Sequence, residues 1–187
     1  MESALVAPSD PMIRVPIRVS NPITIMLKDN DDRHNIPGIN QSEWRSLKAV
    51  VNYPTMKCPI NFEEKLSFTS FGQPLLNYRS ITWNAETGSP MQLESGFLHI
   101  DKDGTSIALI AAQNFGVAVV EEGLVVGNTI ITNSSCIGHM KFVKQKIVTI
   151  QRCYKLNENG QLDYCVMLET PQTPLTQHIA ACYEKCT

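Results

Sequence analysis

At 187 residues, with 43% hydrophobic and 18% charged side chains, the chain is sized for about one domain with a real core, and this composition excludes wholesale disorder. A formal net charge of −2, with its sixteen Lys and Arg scattered, argues against a nucleic-acid partner, because neutralising phosphates takes clustered cations. No run is long and apolar enough to be a transmembrane helix, so no membrane partner is expected.

Residues 1–42 form the first segment. Pro8, Pro11, Pro16, Pro22 and Pro37 interrupt any periodicity, and Asp29–His34 is strongly polar, so an irregular N-terminal extension is expected, with IRVPIRV as a short edge strand. The opening MESALVAPSDPMIRV lacks the basic region and apolar run of a signal peptide, which points to the cytoplasm, with the nucleus also open to the protein.

The second segment, 43–187, reads as a succession of strands from Ile60 onward. INFEEKLSF alternates Ile60, Phe62, Leu66 and Phe68 against Asn61, Glu63, Lys65 and Ser67, the pattern of a half-buried antiparallel strand. LLNYRSITW, LESGFLHI, SIALIAAQ, VAVVEE, LVVGNTIIT, MKFVK, KIVTIQRCYKL, QLDYCVMLE and TQHIAACYEK follow, with ETGSP, DKDG, EEG and NENG as turns. Around NENG, Val148, Ile150, Tyr154 and Leu156 share one face, as do Leu162, Tyr164, Val166 and Leu168, so this is a hairpin. No convincing helical period occurs after residue 60. Nine or ten hairpin-linked strands without a crossover helix indicate an all-β fold, read here as an antiparallel up-and-down β-barrel. More than about eight strands leave room inside for a ligand.

Common catalytic signatures are missing. There is no GxGxxG, P-loop or GxSxG. Glu63 and Glu64 are adjacent on a strand and point to opposite faces, so they cannot share a substrate; one is expected in solvent and the other near the barrel mouth. The six cysteines (Cys58, Cys136, Cys153, Cys165, Cys182 and Cys186) include no CxxC pair and read as buried small residues or free thiols. Cys136 and His139, in SSCIGHM, are a candidate metal pair without a second pair of ligands. His178 stands out in TPLTQHIAACYEK. Period-two alternation puts Thr176, His178, Ala180 and Cys182 on one face, where the small residues leave space beside the imidazole for a large flat ligand. A lone histidine on a half-apolar strand is ordinarily a hydrogen-bonded structural residue, so this segment alone does not make His178 a ligand.

Several stretches carry a resemblance. They are YPT (Tyr53, Pro54 and Thr55), the strand with Glu63 and Glu64, GQPLLNY (72–78), SPMQLESGF (89–97), AAQNFG (111–116) followed by VVEEG, and PLTQHI (174–179). In this order they resemble nitrobindin-type haem-binding barrels, a family that includes the C-terminal domain of an animal THAP protein. The resemblance covers about three quarters of the chain. It implies a ten-stranded antiparallel barrel holding one haem b near its mouth. His178 falls on the axial iron ligand of that family and Thr55 on a haem contact; Met91 and Gln113 match further pocket residues. It also implies nitric oxide binding on ferrous haem, isomerisation of peroxynitrite to nitrate on ferric haem, and compatibility with a homodimer.

This chain departs from the family at two places. The family opens with GxWxGxG, whereas here SEWRSLKAV keeps Trp44 without the glycines. Relatives often carry Met-His where this chain has Met91 and Gln92, which keeps hydrogen bonding but no proton exchange near neutral pH. Bacterial members contact haem through a lysine near the VTIQR strand, for which Lys144 and Lys146 are the local candidates, although both read first as solvated surface charges. The rival readings are a haem-free carrier of an apolar ligand such as a fatty acid, and a partner-binding domain whose N-terminal 40 residues dock elsewhere.

Overall fold

The computed structural model describes residues 40–70, 75–101 and 104–186. Ten strands follow in chain order: β1 (Asn40–Val51), β2 (Ile60–Ser70), β3 (Leu75–Asn84), β4 (Pro90–Ile100), β5 (Ser106–Gln113), β6 (Val117–Val126), β7 (Thr129–His139), β8 (Thr149–Leu156), β9 (Leu162–Thr170) and β10 (Thr173–Lys185). Each pairs antiparallel with its sequence neighbour and β1 pairs with β10, so the sheet is a closed up-and-down barrel. Closure leaves no edge strand to protect. The expected N-terminal extension and its IRVPIRV strand lie, up to residue 39, outside the described residues; the barrel itself begins at Asn40.

Alternation explains most strands. In β2, Phe62, Glu64, Leu66 and Phe68 are buried while Asn61 and Glu63 are exposed. The inward apolar residues gather at the end where β1 begins: Trp44, Leu66, Phe68, Leu76, Leu98, Ile107, Ile130, Tyr154, Leu162 and Tyr183 fill that half of the barrel. The other half is hollow.

Three expectations are corrected. EEG is not a turn, because β6 runs straight through Gly123 and the chain reverses at Gly127 and Asn128, inside the stretch read as the strand LVVGNTIIT. Gly123 serves close packing instead: a Cβ there would sit 1.8 Å from the Ile131 carbonyl oxygen. Gly127, at φ +59°, supplies the left-handed turn conformation. MKFVK is also not a strand. Two side chains take over backbone pairing, Ser134 Oγ accepting from Ile150 N–H at 3.0 Å and His139 Nε2 from Ile147 N–H at 3.0 Å. β7 therefore pairs with β8 only from Thr129 to Asn133, and residues 140–148 leave the sheet as a loop at the hollow end. Val148 lies in that loop and is 51% exposed, off the inward face shared by Ile150, Tyr154 and Leu156.

β1 forms without the family glycines. Counting from Trp44, their positions hold Ser42, Ser46 and Lys48. Between Ser46 and Lys48 the register to β10 shifts, and between Arg45 and Val50 the pairing to β2 is interrupted. Ser46 Oγ bridges that gap by accepting from Glu64 N–H at 2.8 Å. Trp44 stays fully buried.

Gly123→Ala is expected to cost ~3 kcal/mol or more in urea unfolding, because the collision is with backbone that cannot swing away. Gly88→Ala meets nothing within 4 Å and strains only its φ of +67°, so a loss of ~1–2 kcal/mol is expected there. Equal losses at the two sites would contradict the close-approach role of Gly123.

Candidate functional site

The hollow end is a cavity of about 490 Å³, within the range usual for small-molecule and cofactor sites. His178 lines it, but not through simple alternation. The β10 register to β9 shifts between Gln177 and Ile179, so His178 is the extra residue of a bulge, and His178 and Ile179 both line the cavity. Beyond the bulge the parity is reversed. Ile179, Ala181 and Tyr183 pack inward, while Ala180 and Cys182, which alternation had placed beside the imidazole, sit on the other face. The open space next to the ring is the barrel interior itself.

The imidazole is held from two sides. Its Nδ1 lies 3.3 Å from the Asn52 carbonyl oxygen, and Asn52 N–H donates in return to the His178 carbonyl at 2.9 Å. A carbonyl can only accept, so Nδ1 carries the proton and the lone pair falls on Nε2. Tyr53 packs edge-on against the ring at 5.3 Å, its hydroxyl donating to the Leu168 carbonyl at 3.1 Å. Burial pulls the His178 pKa below its ordinary 6.5, opposed by the bond to Asn52. At neutral pH this is a neutral imidazole with a free donor nitrogen.

The other sequence candidates divide. Thr55 and Gln113 both line the cavity, Thr55 from within the turn that Met56 N–H closes by donating to the Tyr53 carbonyl at 2.8 Å. Met91 does not line it and packs instead with the group around Ala49, Val51 and Phe62. Its neighbour Gln92 does, with its backbone fixed by Thr82: Gln92 N–H donates to Thr82 Oγ1 at 2.7 Å, and that hydroxyl donates to the Gln92 carbonyl at 3.1 Å. Lys144 lines the rim and Lys146 does not. The Cys136 and His139 metal reading is replaced, since His139 Nε2 is taken by Ile147 N–H and no cluster of three or more metal-ligating side chains occurs among the described residues. All six cysteines are free; Cys58 and Cys136 are exposed and none is fully buried.

Sequence reasoning missed the deep wall of the cavity. Arg152 donates to Glu94 through Nη2 at 2.7 Å and Nη1 at 3.2 Å, and to Glu121 through Nε at 2.7 Å. Its Nη1 also reaches the Tyr164 hydroxyl at 3.1 Å. Burial opposes the guanidinium charge, but Glu94, Tyr164 and Glu121 overrule it, and Arg152 is held well above its ordinary pKa. Beside this group, Glu64 accepts from the hydroxyls of Ser80 and Tyr183, each at 2.6 Å. Burial raises the Glu64 pKa above 4.5 against those two hydrogen bonds. A signal was available: Arg152 stands at the inward parity between Ile150 and Tyr154, and Glu64 between Phe62 and Leu66, places where a charge needs a buried partner.

Arg152→Met is expected to cost ~3–5 kcal/mol in urea unfolding, because it strands two buried carboxylates. A loss below ~1 kcal/mol would mean that Glu94 and Glu121 find other partners. Glu64 gives a pH signature. With its folded pKa raised, its contribution to stability is complete below 4.5 and is lost as pH rises through the folded value. Glu64→Gln should flatten this part of the stability profile, and an unchanged slope in urea unfolding across a pH series would contradict it.

Comparison with known proteins agrees with this architecture. The family model described as a THAP4-like, heme-binding beta-barrel domain matches residues 42–185. Peroxynitrite isomerase THAP4 of Rattus norvegicus is 36% identical over 140 residues, covering 74% of this chain but only 24% of its own length, and the Homo sapiens protein of that name is 36% identical over 136 residues, covering 72% and 23%. A peroxynitrite isomerase of Arabidopsis thaliana is 33% identical over 144 residues, covering 76% of this chain and 82% of its own. The crystal structure of Rv2717c from M. tuberculosis shares the fold with a TM-score of 0.69 at 24% identity, covering 78% of this chain and 91% of that one. With a closed ten-stranded barrel and a family match from residue 42 to 185, the chain belongs to the THAP4-like haem-binding β-barrel family.

Proposed function

We propose that the barrel binds one haem b at its open end, with His178 Nε2 as axial iron ligand, and that it isomerises peroxynitrite to nitrate and binds nitric oxide. The observation that carries this reading is the state of His178: a neutral imidazole on a cavity wall, with Nδ1–H engaged by a backbone carbonyl and Nε2 left as a donor. The surroundings fit a flat apolar macrocycle, since Val117, Ile150, Val166, Leu168 and Ile179 supply apolar wall around the histidine. Thr55 and Gln113 would contact the group from the same cavity.

Bound haem supplies Lewis acidity and redox chemistry at iron. The chain supplies the rest. The Asn52 carbonyl fixes the tautomer and raises the basicity of Nε2, and the edge of Tyr53 limits rotation of the ring. The apolar wall excludes water, while Gln92 offers hydrogen bonding to a small polar substrate without exchanging protons near neutral pH. The fatty-acid carrier finds no support at the deep end. Arg152 is the buried cation there, and Glu94 and Glu121 already occupy its donor edges.

Titration with hemin should produce a Soret band that His178→Ala abolishes; an unchanged spectrum in the variant would remove the ligand assignment. In stopped flow, the ferric protein should consume peroxynitrite faster than free hemin and yield nitrate, and the ferrous protein should form a nitrosyl spectrum. Rates equal to free hemin would reduce the protein to a haem binder.

A further inference from the structure

Three buried polar side-chain atoms among the described residues lack a hydrogen-bond partner: Ser42 Oγ, Trp44 Nε1 and Thr170 Oγ1. Of these, only Thr170 lines the open-end cavity, and it is 4% exposed. A buried hydroxyl without a partner loses its hydration and gains nothing in return. Replacing it with a methyl group would remove that cost, so its presence on a ligand-sized cavity points to a partner on the ligand.

Its position narrows the chemistry. Val166, Leu168 and Thr170 form one inward row on β9 that lines the cavity, and Thr170 ends the strand. The preceding carbonyl, of Glu169, accepts from Val148 N–H at 2.8 Å, which brings the 140–148 loop alongside. Lys144 of that loop lines the same cavity. The deep end offers nothing to an anion, because Arg152 is filled by Glu94 and Glu121 and the Glu64 carboxyl stands beside them. An anionic edge of a ligand is therefore matched at the rim, by a hydroxyl donor and a cation.

The geometry points to Thr170 as a hydrogen-bond donor to a carboxylate on the rim-side edge of the cavity ligand. Resting on the haem reading, that carboxylate is a propionate of the tetrapyrrole. Thr170 thus fixes the in-plane orientation of the macrocycle, while His178 fixes its axis. The hydroxyl is unpaired without the ligand and charge-assisted with it, so its removal has opposite effects on the two states.

The test compares wild type, Thr170→Val and Thr170→Ser with two probes, hemin and hemin dimethyl ester, whose propionates are blocked. Thr170→Val should raise the hemin Kd about 10-fold or more by Soret titration, leave the ester Kd unchanged, and leave the ligand-free Tm equal or higher by ~2–4 °C. Thr170→Ser should keep the hemin affinity. Equal hemin affinity in wild type and Thr170→Val, an equal loss with both probes, or a lowered ligand-free Tm would each overturn the assignment. A His178-dependent Soret band indifferent to Thr170 overturns this inference alone. If wild type gives no such band, the haem reading falls and this inference falls with it.

Discussion

The Arg152 guanidinium, clamped between Glu94 and Glu121, is the interaction on which the rest of the barrel depends. It ties β8 to β4 and β6 through the interior rather than around the wall, and Tyr164 adds β9. In a low-dielectric interior such a group holds only with its hydrogen bonds complete, so the side chains around it have little freedom. It also divides the barrel. On one side, Leu66, Phe68, Leu98 and Ile130 belong to the buried apolar core; on the other lies the cavity. A purely apolar interior could collapse further toward the mouth. A fixed polar layer stops that collapse and leaves a pocket of set depth.

His178 reaches that pocket through an irregularity. Without the bulge in β10, alternation would put the imidazole and the Tyr183 ring on opposite faces of the sheet. With it, Tyr183 supports Glu64 at the polar layer while His178 faces the cavity. One extra residue lets a single strand serve both the scaffold and the ligand site. The mutual bonds between Asn52 and His178 then make the end of β1 part of the site, although the β1 positions around Trp44 lack the family glycines.

Much of this was legible in the sequence, for identifiable reasons. Strands such as Ile60–Ser70 and Leu162–Thr170 carry clean period-two patterns, and the ordered motifs from Tyr53 to Ile179 led to the family. The errors arose where side chains replace backbone. Ser134 and His139 end the β7–β8 ladder by accepting backbone N–H groups, which apolar pattern in MKFVK cannot reveal. Gly123 looked like punctuation, yet its reason is the Ile131 carbonyl of a strand that sequence alone does not place beside it. The bulge at His178 has no signature in composition, so alternation marks the residue by its type but puts Ala180 and Cys182 on the wrong face. Arg152 is hard to read from sequence because a charge inside an alternating strand looks like a break in the pattern until its two carboxylates are placed beside it.

The short β7–β8 ladder has a consequence for the cavity wall. Here the backbone pairing of β7 with β8 ends at Asn133, and beyond β7 the chain continues as a loop whose Phe142 is 77% exposed. Phe142, Val143, Lys144, Gln145 and Ile147 of that loop line the cavity, so a loop rather than a ladder forms this part of its wall. Substitutions at those positions therefore reshape the cavity without removing a hydrogen bond of the β7–β8 ladder.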